Sequence, residues 1–212
     1  MNNVSFISLF ANPLMQVQLD LDLEKLTEFV FQLQNEDKKG VQASNIGGWQ
    51  SNNIREEKHE EFEKLKKEIS QHLQTYHLEV FRGMKFKEKN MIQNFDNMWI
   101  NINEKYHFNE WHIHGGSTLS GAYYIKHDNS SENGDIAFKH PNSSYLTMVH
   151  WPSELIKKSN EISSERINII PKSNMLLIFP SWLEHKVEAN QKNDPRISMS
   201  FNSKPILVEK KS

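Results

Sequence analysis

The apolar positions in the first third of the chain recur every three or four residues, as they do in amphipathic helices. This spacing predicts one helix over residues 20–34, with Asp20 or Asp22 available to cap its start. A second helix is predicted over residues 56–76, with an apolar face opposite a solvated stripe of charged side chains. Residues 39–50 lie between the two helices and are rich in Gly, Asn and Ser, which predicts a loop.

The pattern changes after residue 95, where apolar and polar residues begin to alternate in short segments separated by turn-forming residues. Eight such segments are predicted to be strands: residues 99–103, 110–114, 119–125, 135–139, 166–170, 175–179, 185–188 and 196–201. Two helices followed by eight short strands predict a mainly β fold with N-terminal helices, an α+β arrangement. In it, a β-sandwich or barrel carries the helices on one face.

Length and composition narrow the class of protein. The 212 residues suit one domain, with a helical support region and loop over residues 1–95 and a β core over residues 96–205. The absence of cysteine excludes a disulfide scaffold, a thiolate nucleophile and a cysteine-ligated metal, so any metal must be held by nitrogen and oxygen. A net charge of −2 makes nucleic acid an unfavourable partner. No run of 18 apolar residues occurs, and we expect a cytoplasmic protein without a membrane partner.

A candidate metal site begins with His112 and His114, which lie two residues apart in a predicted strand. Side chains at this spacing project from the same strand face, where both imidazoles can reach one ion. Glu110 falls on the same face, so the three residues offer mixed nitrogen and oxygen ligands. The alternative is a chance pair, because the chain contains ten histidines.

A second group of residues lies near the end of the chain. His185 opens a predicted strand, and Arg196 and Ser198 share one face of the last strand. An arginine inside a small barrel is costly unless an anion pairs with it. An interior Arg196 beside a metal site therefore predicts a bound dicarboxylate, held by the guanidinium at one end and by the metal at the other. The alternative places Arg196 in a surface salt bridge on an edge strand.

Several stretches together resemble the iron(II)- and 2-oxoglutarate-dependent oxygenase superfamily, and more narrowly a poorly characterised branch found in marine bacteria and their phages. They are HIHGGSTLSGAYYI at 112–125, FPSWLEH at 179–185 and RISMSFN at 196–202. Segments 44–51 and 99–103 extend the similarity over nearly the whole chain. The resemblance implies a double-stranded β-helix (jelly-roll, cupin-like) of eight strands supported by the N-terminal helices.

The resemblance also implies roles for individual residues. It makes His112 and His185 iron ligands, and it makes Arg196 and Ser198 the clamp on the distal carboxylate of 2-oxoglutarate. Tyr124 lies where related prolyl-hydroxylase-like enzymes place a tyrosine that binds the cosubstrate. A core aromatic residue is the alternative interpretation of Tyr124.

Two positions depart from the pattern of the superfamily. His114 occupies the position of the usual aspartate or glutamate, and Gly115 replaces the proline common in the branch. Imidazole is a suitable ligand for Fe(II), so a three-histidine site is chemically reasonable. We therefore expect His112, His114 and His185 as the metal ligands, with Glu110 in reserve.

The predicted function is that of a 2-oxoglutarate-dependent non-haem iron dioxygenase, using Fe(II), 2-oxoglutarate and molecular oxygen to hydroxylate a small molecule or an amino-acid side chain. Two alternatives are a three-histidine cupin-like dioxygenase that needs no 2-oxoglutarate and a non-catalytic, metal-containing β-helix binding module. Both leave an interior Arg196 and Ser198 without a use. A monomer and a homodimer both remain open.

Other residues near these motifs are weaker candidates. Four tryptophans could line a substrate pocket or pack in the core: Trp49, Trp99, Trp111 and Trp182. Gly47 and Gly48 could form the hinge of a lid loop or an ordinary turn. Three ionisable residues lie near the site in sequence but on predicted loops or opposite strand faces: His127, Asp128 and Glu184.

Overall fold

The computed structural model describes residues 10–81, 91–146 and 156–208. Helix α1 spans Leu23–Glu36 and helix α2 spans Glu60–Val80, so each lies within a few residues of its predicted position. Asp22, rather than Asp20, caps α1, because its side chain accepts a hydrogen bond from the backbone N–H of Lys25. Within the described ranges, no helix combines the length and the apolar character that crossing a membrane requires.

The larger of two antiparallel sheets has six strands in the order β1-β9-β6-β11-β4-β3. Their bounds are Met15–Gln18 for β1, Trp49–Gln50 for β3, Met91–Asn103 for β4, Leu119–Lys126 for β6, Met175–Pro180 for β9 and Arg196–Leu207 for β11. The two longest strands, β4 and β11, pair along their whole length. The paired strands form one wall of the cavity that contains the candidate site.

The smaller sheet has five strands in the order β2-β5-β10-β7-β8. Their bounds are Asn45–Ile46 for β2, Phe108–His112 for β5, Ile136–Lys139 for β7, Arg166–Ile169 for β8 and His185–Val187 for β10. Two single-turn helices complete the described elements: the 3₁₀ turn Ser131–Asn133 and α3 at Ser143–Leu146.

All eight predicted strands are present, as β4 to β11. The prediction placed the start of β4 at residue 99, whereas the strand begins at Met91. The prediction missed β1. It also missed the two-residue strands β2 and β3, both of which lie inside the predicted loop over residues 39–50. Strands of two residues are too short to show alternation. Gly47 and Gly48 join them in a turn, and both have positive φ, which glycine adopts without strain.

Two groups of apolar side chains hold the layers together. One packs α1 and α2 against the outer face of the larger sheet, and the other lies between the two sheets. Strand β6 serves both, since Tyr123 and Ile125 belong to the first group while Ala122 and Tyr124 belong to the second. This alternation follows from the pleat of the strand, and it directs Tyr124 into the space between the sheets.

Gly121 of β6 provides a test of the close packing between strands. A methyl group added at this position would overlap the Phe201 ring and the backbone carbonyl of Leu177. We expect Gly121→Ala to lower the free energy of unfolding by about 1–3 kcal/mol, as overpacking of a core does. Urea unfolding measures the change. Gly115→Ala is the matched control, because nothing lies within 4 Å of an added methyl group there. Equal stability of the two variants would contradict the described packing.

Candidate metal centre

Three histidines converge at one edge of the smaller sheet. His112 ends β5, His185 begins β10, and the two residues are direct partners in the antiparallel pairing of these strands. His114 lies two residues beyond β5, where its backbone N–H donates to the Ser181 carbonyl over 2.9 Å. One ring nitrogen from each histidine lies within 4.8 Å of the other two. The arrangement can therefore present three nitrogen ligands to a single ion.

Backbone carbonyls orient two of the three rings. Nδ1 of His112 lies 2.6 Å from the carbonyl oxygen of Glu110, and Nδ1 of His185 lies 2.8 Å from that of Leu183. A carbonyl can only accept, so each Nδ1 carries the proton and donates it. This leaves the Nε2 lone pairs of both rings available to a metal, which is the arrangement common in metal-ligating histidines.

Burial lowers the pKa of all three imidazoles below the usual value. Burial, with a smaller contribution from the neighbouring histidines, brings the pKa of His114 to about 4 and that of His185 to about 3. The pKa of His112 is lowered by burial and partly restored by its hydrogen bond to the Glu110 carbonyl. All three rings are neutral near pH 7, the state in which imidazole binds metal.

His112 and His114 lie close together as predicted, but they do not share one strand. The predicted strand covered residues 110–114, but β5 ends at His112 and the chain turns at Gly116, which has positive φ. The hydrogen bond to Ser181 holds His114 instead of a strand pairing. Glu110, the reserve ligand, is exposed and lies outside the histidine cluster.

The three histidines open onto a cavity of about 340 Å³ between the sheets. This volume lies within the range of small-molecule pockets. Its polar lining comes mostly from β4, β5 and β11: Asn97, Asn101, Asn109, Arg196, Ser198, Ser200 and Asn202, with Ser44 and Gln50 from the preceding segment. Tyr124 and Trp99 contribute aromatic rings to the same wall.

Arg196 lies deep in this cavity and is only 1% exposed. One of its Nη atoms donates to the carbonyls of Gly134 at 3.2 Å and Glu188 at 3.5 Å, while its Nε has no hydrogen-bond partner. Burial lowers the pKa of Arg196 to about 10, which still leaves it charged at neutral pH. Within the described ranges no carboxylate forms a salt bridge with it, so the buried charge fits an anionic ligand in the cavity.

Ser198 and Tyr124 lie beside Arg196. They are direct partners in the pairing of β11 with β6, and both line the cavity. Burial raises the pKa of Tyr124 above its usual value, so its side chain remains a phenol that can donate a hydrogen bond. The structure thus brings together all three residues predicted to bind the cosubstrate.

Gly134 contacts the Arg196 guanidinium from outside the lining of the cavity, and His127 contacts Gly134. His127 was predicted to lie on a loop or an opposite strand face, and it follows β6 outside the cavity lining. Its ring is buried, with Nδ1 accepting from the Asn129 N–H and Nε2 directed at the Gly134 carbonyl over 3.4 Å. Gly134 has positive φ, and a methyl group there would overlap the guanidinium of Arg196. A glycine in a turn is visible in the sequence, but its contact with Arg196, 62 residues later, is not.

The remaining candidates lie elsewhere. Trp99 lines the cavity with its ring 5.6 Å from that of His114. The other three tryptophans do not line it: Trp49 is buried beside the helices, Trp111 lies against Lys139 and Lys186, and Trp182 is 54% exposed. Asp128 and Glu184 form ion pairs with lysines away from the cavity.

The family of the chain follows from a sequence match over the β core. Residues 97–202 match the family described as "Putative 2OG-Fe(II) oxygenase", and these 106 residues are half of the 212-residue chain. The chain belongs to this family of iron- and 2-oxoglutarate-dependent oxygenases, and its cofactors are those of the family. No curated protein sequence matches it.

Solved structures of related fold support the architecture. A prolyl-4-hydroxylase from Pseudomonas putida is 11% identical, with a TM-score of 0.57 over 91% of this chain and 93% of that one. HygX from Streptomyces hygroscopicus, solved with nickel and 2-oxoglutarate, is 10% identical, with a TM-score of 0.59 over 91% and 82%. The viral collagen prolyl hydroxylase from Paramecium Bursaria Chlorella virus-1, in its 2-oxoglutarate complex, is 11% identical, with a TM-score of 0.56 over 90% and 94%. These likenesses confirm the predicted jelly-roll fold.

The buried His127 makes stability depend on pH. Burial lowers its pKa in the folded protein to about 4, below the ordinary value of 6.5. Between these values the unfolded chain binds a proton that the folded chain does not, so stability is lost as the pH falls from 6.5 toward 4. We expect the free energy of unfolding of metal-free protein to fall less steeply in His127→Gln than in the wild type over this range. Urea unfolding at several pH values measures both slopes, and identical slopes would contradict the assignment.

Proposed function

We propose that the protein is a 2-oxoglutarate-dependent iron dioxygenase that hydroxylates a small molecule or an amino-acid side chain. The observation that carries the proposal is the juxtaposition of two features in one cavity. Three neutral histidines form one side of it, and the buried, unpaired Arg196 lies at its deep end. A metal site alone would suit many enzymes, but a metal site beside a buried cation suits a cosubstrate that is a dicarboxylate.

In this proposal His112, His114 and His185 hold Fe(II). The three imidazoles are neutral, so the metal centre keeps the full charge of the ion. Its net charge is one unit more positive than that of a centre in which one ligand is a carboxylate. Three protein ligands leave positions for the cosubstrate and for oxygen. The backbone carbonyls that orient His112 and His185 keep the Nε2 atoms directed at the ion.

Arg196, Ser198 and Tyr124 hold the cosubstrate in this proposal. The carbonyls of Gly134 and Glu188 fix the guanidinium from behind, and its unpaired Nε is free to donate to a carboxylate. The hydroxyl groups of Ser198 and Tyr124 can donate further hydrogen bonds to the same anion. Each donor is positioned by a strand, which favours a single orientation of the ligand.

Iron and 2-oxoglutarate, when bound, would activate molecular oxygen, so that one oxygen atom enters a C–H bond of the substrate while the other enters the succinate formed as 2-oxoglutarate loses carbon dioxide. The chain itself binds and orients the reactants in a cavity that lies between two sheets. The proposal treats residues 1–212 as a single oxygenase domain. It places the enzyme in the cytoplasm, since nothing in its cysteine-free composition requires an oxidising compartment.

A second candidate is a cupin-like dioxygenase that does not use 2-oxoglutarate. The observation in its favour is the ligand set, which contains three histidines and no carboxylate. It leaves Arg196 as a buried cation without an anion, an arrangement that costs several kcal/mol. The oxygenase that uses a dicarboxylate is therefore the better account of the site.

The metal assignment predicts the effect of single substitutions. Anaerobic wild-type protein should bind about one Fe(II) per chain, and His112→Ala and His185→Ala should each abolish binding, because two imidazoles cannot form the facial set. His114→Asp should retain iron, since a carboxylate also serves at this position. Fe(II) titration with metal analysis measures binding. His140→Ala, outside the cluster, is the control. Wild-type affinity in either of the first two variants would overturn the ligand set.

The clamp assignment predicts a selective loss of cosubstrate. Arg196→Ala should raise the dissociation constant of 2-oxoglutarate at least about a hundredfold, because a buried carboxylate loses its partner, while metal affinity stays nearly unchanged. Arg196→Lys should recover only part, since an ammonium keeps the charge and loses the planar fork. Calorimetric titration into anaerobic Mn(II)-loaded protein measures these constants.

Arg166→Ala is the matched control for this titration, because Arg166 lies on β8 with half of its side chain exposed. A wild type that fails to bind 2-oxoglutarate at millimolar concentration would overturn the proposed function in favour of the cupin-like enzyme. If the wild type and Arg196→Ala bind 2-oxoglutarate equally well, the cosubstrate assignment stands and the assignment of Arg196 as its clamp is refuted.

A further inference from the structure

The wall formed by β4 and β11 places its cavity-lining residues in facing pairs. Because the strands are antiparallel and in register, these pairs follow one another along the wall. In order from the deep end they are Arg196 with Asn103, which does not itself line the cavity, Ser198 with Asn101, Ser200 with Trp99 and Asn202 with Asn97. The last pair, two carboxamides side by side, takes no part in the site described above.

The Asn97–Asn202 pair lies too far from Arg196 to serve the cosubstrate. Six residues of extended chain separate Arg196 from Asn202, a distance of about 20 Å along the strand. Trp99 lies between them, with its ring beside that of His114 at the level of the metal ligands. A five-carbon dicarboxylate held by Arg196 and the metal does not reach past this level. The pair therefore faces the part of the cavity that remains for the substrate.

The amide of Asn202 is held in one orientation. Its Oδ1 accepts a hydrogen bond from the Ser120 hydroxyl at 2.7 Å, and Ser120 is itself 2.8 Å from the Ser181 hydroxyl. Asn202 is 7% exposed, and among the described residues its amide nitrogen has no acceptor. Ser120 and Ser181 thus leave Asn202 with a free N–H donor at the cavity wall.

Asn97 supplies the complementary atom. Its Oδ1 is buried and has no hydrogen-bond partner in the described part of the chain. Cβ atoms of directly opposed residues in antiparallel strands are about 5 Å apart, so the side chains of Asn97 and Asn202 lie side by side without a hydrogen bond between them in the described structure. A carboxamide can rotate, but the two side chains together always offer at least one donor and one acceptor.

The ligand that matches this pair is a neutral group with an adjacent donor and acceptor. A carboxylate has no donor, an ammonium has no acceptor, and either charge would be buried without a partner. Arg196, at the far end, is the one lysine, arginine, aspartate or glutamate among the described residues that line the cavity. We propose that Asn97 and Asn202 bind an amide group of the substrate through two hydrogen bonds. This inference rests on the proposed function and names the substrate class as a neutral amide.

The test uses the full chain loaded with Zn(II), a diamagnetic stand-in for iron, and saturated with 2-oxoglutarate so that Arg196 is occupied. The probes are butyramide and three compounds of similar size: butyrate, butylammonium and 1-butanol. Saturation-transfer NMR measures their binding. Butyramide should bind roughly tenfold more tightly than the others, the effect of two hydrogen bonds of ordinary net strength.

Variants of the pair connect this binding to the two asparagines. Asn97→Ala and Asn202→Ala should each weaken butyramide binding about five- to tenfold, and Asn202→Asp should lose butyramide and gain butylammonium. Asn94→Asp is the matched control, an exposed asparagine on the same strand, and should bind like the wild type. Asn97 makes no side-chain hydrogen bond within the described residues, so its replacement tests the inference even if the Asn202 variants unfold.

The outcomes separate this inference from the proposed function. Equal binding of butyramide and 1-butanol, preference for a charged probe, or unchanged butyramide binding in Asn97→Ala would overturn the amide assignment. Calorimetry on the same samples reports 2-oxoglutarate binding independently. Selective butyramide binding together with a failure to bind 2-oxoglutarate would support the amide site and refute the cosubstrate.

Discussion

The positive charge of Arg196, carried into the space between two sheets, is the constraint around which this cavity is organised. Its guanidinium is almost fully buried, and the groups that contact it are neutral carbonyl oxygens. Gly134 lacks a side chain where one would overlap the guanidinium. The other described residues that line the cavity are uncharged, so its walls leave the charge uncompensated until an anion enters.

The charges of the proposed complex show why the three-histidine set matters. A divalent ion and Arg196 together contribute three positive charges, and the 2-oxoglutarate dianion compensates two of them. The usual carboxylate ligand would compensate the third, but His114 does not. The proposed centre therefore retains one positive charge in a poorly solvated cavity, which favours neutral or electron-rich substrate groups and disfavours cations.

The sequence was sufficient to predict the features that depend on local pattern. Strands β4 to β11 show alternation over enough residues to be recognised, and the motifs around His112, His185 and Arg196 are each compact. The features that were missed depend on pairing between distant segments. The contact of Gly134 with Arg196 joins residues that are 62 positions apart in the chain, and the opposition of Asn97 to Asn202 joins residues that are 105 positions apart. No local pattern reports either. His114 lies beside His112 as predicted, but the predicted strand included His114, whereas β5 ends at His112.

The direct pairing of His112 with His185 has a consequence for the dynamics of the smaller sheet. Strand β10 contains three residues and lies between β5 and β7, so few backbone hydrogen bonds hold it in place. A ligand that bridges the two histidines joins β5 to β10 at the edge where both imidazoles emerge. Binding of this kind lowers the population of locally opened states in proportion to its occupancy. The rate of amide hydrogen exchange in β10 would then be slower in metal-loaded than in metal-free protein.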